Sequence, residues 1–199
     1  SIPQRFGMRG ALVISRVLHV VTVLCLAALA MVAPLGGIYV AGVIGVAALG
    51  LGVFGPRFGL DAEAARRWRL ACAAMVVGSL SVSLLKQASP YHCPWDLLEF
   101  GGHAPYVPLL ASLPAGVSAG KCFPAGHASG GFVLMALYFV YAGERPRLAQ
   151  AWLWGGLAFG LLMGVGQQLR GAHFLSHTLW SGWVVWAAML AVNQLLGRR

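Results

Sequence analysis

The sequence predicts an all-α, polytopic membrane protein: six transmembrane helices, both termini on the cytoplasmic side, and a single domain over 1–199. Three observations predict it. Of 199 residues, 59% are hydrophobic and only 10% are charged, which lies outside the composition of a soluble globular domain. The apolar residues fall into runs of a length that crosses a hydrocarbon core, separated by Pro/Gly turns and short polar connections. Most of the 14 Lys and Arg residues sit on alternate connections, a bias that the positive-inside rule reads as one face.

The start, SIPQRFGMRG, places positive charge ahead of an apolar run without a small-residue cleavage pattern. The helix over 11–33, with Arg16 and His19 near its beginning, therefore reads as retained. After a Pro34-Leu35-Gly36-Gly37 turn, the Gly/Ala/Val-rich stretch 38–54 suits a helix that approaches its neighbours closely. Residues 57–69 read either as a solvated charged loop or as a short interfacial helix with Trp68 at the boundary. A short span over 70–85 ends at Lys86, whose stem can reach the polar boundary. The proline-rich stretch 87–123, with its Gly101-Gly102 pair, reads as a structured exterior loop containing one amphipathic segment around 95–100. Helices are expected over 124–141, 151–169 and 174–196, the last two forming a hairpin with Arg170 and His173 at its tip.

Orientation follows from charge. Arg5, Arg9, Arg57, Arg66, Arg67, Arg69, Arg145, Arg147, Arg198 and Arg199 share one face, assigned to the cytoplasm. Lys86, Lys121 and Arg170 share the other with His92, His103, His127, His173 and His177. The net charge of +9 is thus explained by orientation and not by a nucleic-acid partner. The expected setting is the lipid bilayer of a bacterial inner membrane, with the chemistry facing the periplasm.

Two polar islands interrupt the apolar C-terminal part, GKCFPAGHASGG over 120–131 and GQQLRGAHFLSH over 166–177. A guanidinium costs about 2.5–3.5 kcal/mol at the centre of a membrane helix, so Arg170 belongs at a membrane end or in a polar site. Cations converging on one face make an anion site, and phosphate takes several donors at once. A histidine beside them could attack phosphorus, and a second could protonate the leaving oxygen.

Together with KQASPYHCP over 86–94, the segments PAGH (124–127) and GQQLRGAHFLSH resemble the three-part pattern of the type-2 phosphatidic acid phosphatase (PAP2) family of membrane lipid phosphatases. That pattern is a lysine with Arg-Pro seven and eight residues on, then Pro-Ser-Gly-His, then Ser-Arg, five residues, His, three residues, Asp. Cys93, Ala125, Gln167 and His177 stand where the family has Arg, Ser, Arg and Asp. The resemblance implies His173 as a nucleophile forming a phospho-histidine and His127 as the acid for the leaving oxygen. It places His177 against the other ring nitrogen of His173, and Lys86, Arg170, Gly126 and Gln167 around the phosphate. Arg170 follows Gln167 by nearly one helical turn and could reach the same pocket. The implied reaction is hydrolysis of a membrane lipid phosphate or diphosphate, with no metal or other cofactor. A neutral His177 cannot stabilise a neighbouring cation as an aspartate does, so activity is expected to fall as pH drops through about 6.5.

Other readings attach to the same residues. His173 and His177 at i, i+4, with His127, have the spacing of a zinc site, although Arg170 beside them would repel the ion. Cys93 and Cys122 are either bridged in an oxidising compartment or two free thiols, whereas Cys25 and Cys72 read as packing residues. The Trp180, Trp183, Trp186 stripe suits packing and lipid contact, or the lining for a lipid chain. Asp96 and Glu99 could meet a headgroup or pair with Lys86 or Lys121. Two rival functions remain beside hydrolysis: a phosphotransferase passing phosphate to a second lipid, and a catalytically degenerate lipid-binding protein.

Overall fold

The structure, a computed structural model, describes residues 36–109 and 111–197. The expected first helix over 11–33, Cys25, and the terminal arginines Arg5, Arg9, Arg198 and Arg199 lie outside the described residues. The chain divides into two compact units, 1–36 and 37–199, and the description below concerns the second.

Its helices are α1 (Gly36–Phe54), α2 (Ala62–Ala88), α3 (Gly126–Phe132), α4 (Leu137–Tyr141), α5 (Pro146–Leu169) and α6 (Leu175–Leu196). A 3-10 turn over Val133–Ala136 joins α3 to α4, so the expected helix over 124–141 is one interrupted rod. Helices α2, α5 and α6 are long and apolar enough to cross a membrane, and Ile44–Phe58 and Gly126–Tyr141 are shorter apolar stretches. Val76, Leu80 and Leu84 on α2, Trp154 and Leu162 on α5, and Leu179 and Trp183 on α6 all point outward. Such contiguous apolar surface is a liability in water and the normal face of a helix in lipid.

Residues 62–69 are neither a loop nor a separate interfacial helix, because they are the first turns of α2. Asp61 caps it, its carboxylate accepting the Ala64 N–H at 2.7 Å, and Glu63 in the first turn pairs with Arg66 at 2.8 Å. The helix then runs unbroken for 27 residues, about 40 Å at 1.5 Å per residue. Arg66 and Lys86 therefore stand about 30 Å apart along it, the thickness of a hydrocarbon core. Helix α5 also starts before its expected residue, with Pro146 in its first turn, where a missing N–H costs nothing.

Small residues set the packing. Gly156, Gly160 and Gly164 form a buried stripe on α5. A Cβ at Gly160 would collide with the Phe132 ring, and one at Gly164 with Thr178. The stripe lets α3 and α6 come within backbone distance of α5, as small-xxx-small patterns do in membranes. Phe132, Val82, Val185 and Met189 fill the core between these helices.

The loop between α2 and α3 holds two 3-10 turns, Pro94–Asp96 and Leu98–Phe100, within the segment expected to be amphipathic. Its two ends lie side by side: Gly120 N–H donates to the Pro90 carbonyl at 3.0 Å and Cys122 N–H to the Tyr91 carbonyl at 2.9 Å. Cys93 and Cys122 are joined by a disulfide, with Cα atoms 5.2 Å apart and a sequence separation of 29. Closing a loop of that length contributes about 3–4 kcal/mol in the chain-entropy account. Asp96 accepts the Cys93 N–H at 3.3 Å, so it shapes this turn.

Candidate active site

Helix α5 ends in a turn that only a residue tolerant of positive φ makes easily, and Gly171 supplies it at φ +69. Gly171 N–H donates to the Gln168 carbonyl and Ala172 N–H to the Gln167 carbonyl, both at 2.9 Å. The chain then reverses into α6, which puts His173 just before the helix and His177 in its first turn. Both rings are buried, 4% and 6% exposed, and their Nδ1 atoms face each other at 3.3 Å. The Trp95 N–H donates to the Gly171 carbonyl at 3.0 Å, tying the loop to this turn.

The disulfide constrains the His173 tautomer. Its Nδ1 lies 3.3 Å from the Cys122 sulfur, and a disulfide sulfur has no proton to give. A proton on Nδ1 satisfies that contact and leaves the lone pair on Nε2. Because the sulfur carries no proton, the 3.3 Å approach of the Cys122 sulfur to the Ala172 carbonyl is a contact and not a hydrogen bond.

Burial is the largest influence on His173, and the charges of Lys86, His177 and His127 act with it to push the ring's pKa from 6.5 down to about 3. The expected loss of activity near pH 6.5 is corrected accordingly for this residue. His173 remains neutral well below that pH, because a buried imidazole beside an ammonium is costly to charge.

Lys86 is in the last turn of α2, with its Nζ 3.9 Å from the place a Cβ on Gly126 would occupy. The start of α3 is fixed against α6: Ala125 N–H donates to the His177 carbonyl at 3.1 Å. The fully buried Ser181 hydroxyl lies 2.8 Å from the Ala125 carbonyl and 2.9 Å from that of His177. Three element ends thus bring Lys86, Gly126, His127, His173 and His177 together. Arg170 and Gln167 have other surroundings. Gln167 is half-buried on α5 and Arg170 is exposed, its guanidinium 6.0 Å from the centre of the Trp95 ring. Trp95 and His173 line one cavity of about 480 Å³, which puts Arg170 at its rim.

His177 lines a different cavity of about 310 Å³ with Tyr91, Tyr106 and Phe123, and Phe174 and Leu175 line both. The histidine pair thus connects two spaces. An apolar groove of about 540 Å³ between α1, α2 and α3 reaches Gly126, beside Lys86. Sequence reasoning missed the ring edges of Phe123 and Phe174, at 5.3 and 5.5 Å from His177 between centroids, and the sulfur against His173. For Phe174, its adjacency to His173 in the sequence was the available signal. The alternative zinc set weighed from the sequence, His127 with His173 and His177, differs from the donor group gathered here. Among the described residues, the donor atoms within 4.8 Å of one another are those of Cys93, Cys122 and His173, and the two sulfurs are bonded to each other.

A helical membrane protein whose helix ends gather one lysine and three histidines has the makings of a phosphoryl-handling site. Residues 67–199 match the family model of the PAP2 superfamily. The chain belongs to that superfamily, whose members are phosphatases, and at that level it is a phosphoric ester hydrolase. Neither the curated proteins nor the solved structures yield a match.

Proposed function

We propose that the protein removes phosphate from a membrane lipid phosphate or diphosphate through a phospho-histidine on His173. The observation that carries this reading is the contact of His173 Nδ1 with the Cys122 sulfur, which leaves Nε2 as the nucleophile. Nε2 attacks phosphorus and the bond from phosphorus to the lipid oxygen breaks, with His127 donating a proton to that oxygen. Water, deprotonated by His127, then attacks the phospho-histidine, and inorganic phosphate leaves with the His173 lone pair restored. Lys86 holds the non-bridging oxygens beside Gly126, and Arg170 with Gln167 meets the phosphate at the rim on its way in. Preorganised positive charge of this kind commonly supplies several kcal/mol of transition-state stabilisation.

In this reading the helix over 11–33 completes six spans, both termini are cytoplasmic, and the site faces the periplasm of a bacterial inner membrane. The disulfide beside the nucleophile supports an oxidising compartment. The apolar groove that reaches Gly126 supports lateral entry of a lipid chain. Phosphate release from a panel of detergent-solubilised lipid phosphates, measured with and without EDTA, tests the reading. Release abolished in His173→Ala and indifferent to EDTA is expected. Transfer of the phosphate to a second lipid without free phosphate points to the phosphotransferase. Binding without turnover points to the degenerate protein, and loss with EDTA to a metal.

A further inference from the structure

The disulfide, which phosphoryl transfer does not use, packs against the proposed nucleophile and groups possible metal donors there. The sulfurs of Cys93 and Cys122 and a ring nitrogen of His173 lie within 4.8 Å of one another. His173 Nδ1 is 3.3 Å from the Cys122 sulfur and 3.3 Å from His177 Nδ1. With Zn–S near 2.3 Å and Zn–N near 2.0–2.1 Å, ligand atoms around a tetrahedral zinc stand about 3.3–3.8 Å apart. The separations of His173 Nδ1 from the Cys122 sulfur and from His177 Nδ1 already fall in that range. The two sulfurs are too close, because they are bonded. Charge agrees with geometry: a divalent cation with two thiolates and two neutral imidazoles is neutral, which suits the buried surroundings of Cys122, His173 and His177.

We infer that Cys93, Cys122 and His173 are a latent thiolate–imidazole site for zinc-like divalent cations, opened by reduction of the disulfide, with His177 the neighbouring imidazole that a small shift would bring in as a further donor. With a trialkylphosphine and water as reductant, the phosphine becomes its oxide. Phosphorus gives up two electrons, each sulfur gains one, and the two protons of water end on the sulfurs. Metal binding then releases both thiol protons. Ligation through His173 Nδ1 moves that ring's proton to Nε2, which removes the lone pair that attacks phosphorus. This consequence rests on the proposed function, whereas the metal site does not.

The test is an oxygen-free cobalt(II) titration of the whole chain in detergent, comparing oxidised and phosphine-reduced protein. Reduced protein is expected to bind one cobalt per chain, with thiolate charge-transfer absorption and the intense d–d bands of a tetrahedral ion, and oxidised protein none. Cys93→Ser and Cys122→Ser, neither of which can bridge, should each lose affinity and charge-transfer intensity. They separate metal binding from mere loss of the staple. His173→Ala keeps both cysteines, and its intact disulfide when oxidised reports correct folding. After reduction it should bind more weakly by at least the about 10–100-fold that an outer-shell change costs. Equal binding by oxidised and reduced protein, no binding by reduced protein, or unchanged affinity in His173→Ala would each overturn the inference. Zinc inhibition of phosphate release confined to reduced protein tests the catalytic consequence, and cobalt stoichiometry decides the site even where no lipid is turned over.

Discussion

Helix α2 carries positive charge at both ends and uses it differently at each. At its start Arg66 and Arg67 pair with Glu63 and Glu144, whose side chains are 56% and 64% exposed. At its end Lys86 faces buried histidines and helps hold His173 neutral. Water competes for exposed pairs, which contribute about 0.2–1 kcal/mol. In the buried cluster the same unit charge is less screened and can set a protonation state. What distinguishes the proposed site is burial around charge, since the arginine-rich end has the greater number of cations.

That contrast can be sharpened in steps. Lys86→Ala should lower kcat/KM for a lipid phosphate by about 10²–10³-fold, the scale of one lost oxyanion donor. Arg66→Ala at the other end should leave the rate within about twofold, as expected for an exposed ion-pair residue, and equal losses at both ends would erase the distinction. His177→Asp places an anion beside His173 and so raises its pKa. The acid limb of kcat/KM, which reports the free enzyme, should then move up from about 3 towards neutral pH. An unmoved limb would mean that His177 does not act on His173. Stability carries the same signature. In the unfolded chain histidine takes up a proton near 6.5, while folded His173 resists until about 3. Its contribution is therefore intact above 6.5 and lost as pH falls between those values, read as a declining Tm that flattens in His173→Gln. The smallest effect belongs to Glu63→Gln, which should leave the Tm almost unchanged because Glu63 is exposed and water screens its pair with Arg66.

Much of this was legible before any coordinates. The order of the described helices, the polar loop between α2 and α3, and the placing of Lys86, His127, His173 and His177 near helix ends follow from apolar run lengths and motif spacing. The ambiguity at 57–69 has a physical source. Four arginines in this stretch suit a solvated loop as well as a short helix, and what joins 62–69 to the following span is Asp61 followed by Glu63, a helix-start signal, with Arg66 satisfying Glu63 one turn away. The glycine stripe of α5 was visible as Gly156, Gly160 and Gly164 but has no meaning until Phe132 and Thr178 are known to lie against it. Arg170 shows a different limit. Helical spacing allows it to share a face with Gln167, but α5 ends in the turn at Gly171 and leaves the guanidinium over Trp95. The sulfur beside His173 joins residues 51 positions apart, a contact that no local pattern encodes.

The measurement to make is a rapid quench with lipid substrate labelled in its phosphate, followed by mapping of any label retained on the chain. Base-stable, acid-labile phosphate on His173, absent from His173→Ala, is the expected outcome. Turnover with no covalent phosphate, or label that persists on His127 in the His173→Ala chain, would show that the neutral Nε2 of His173 is not the nucleophile.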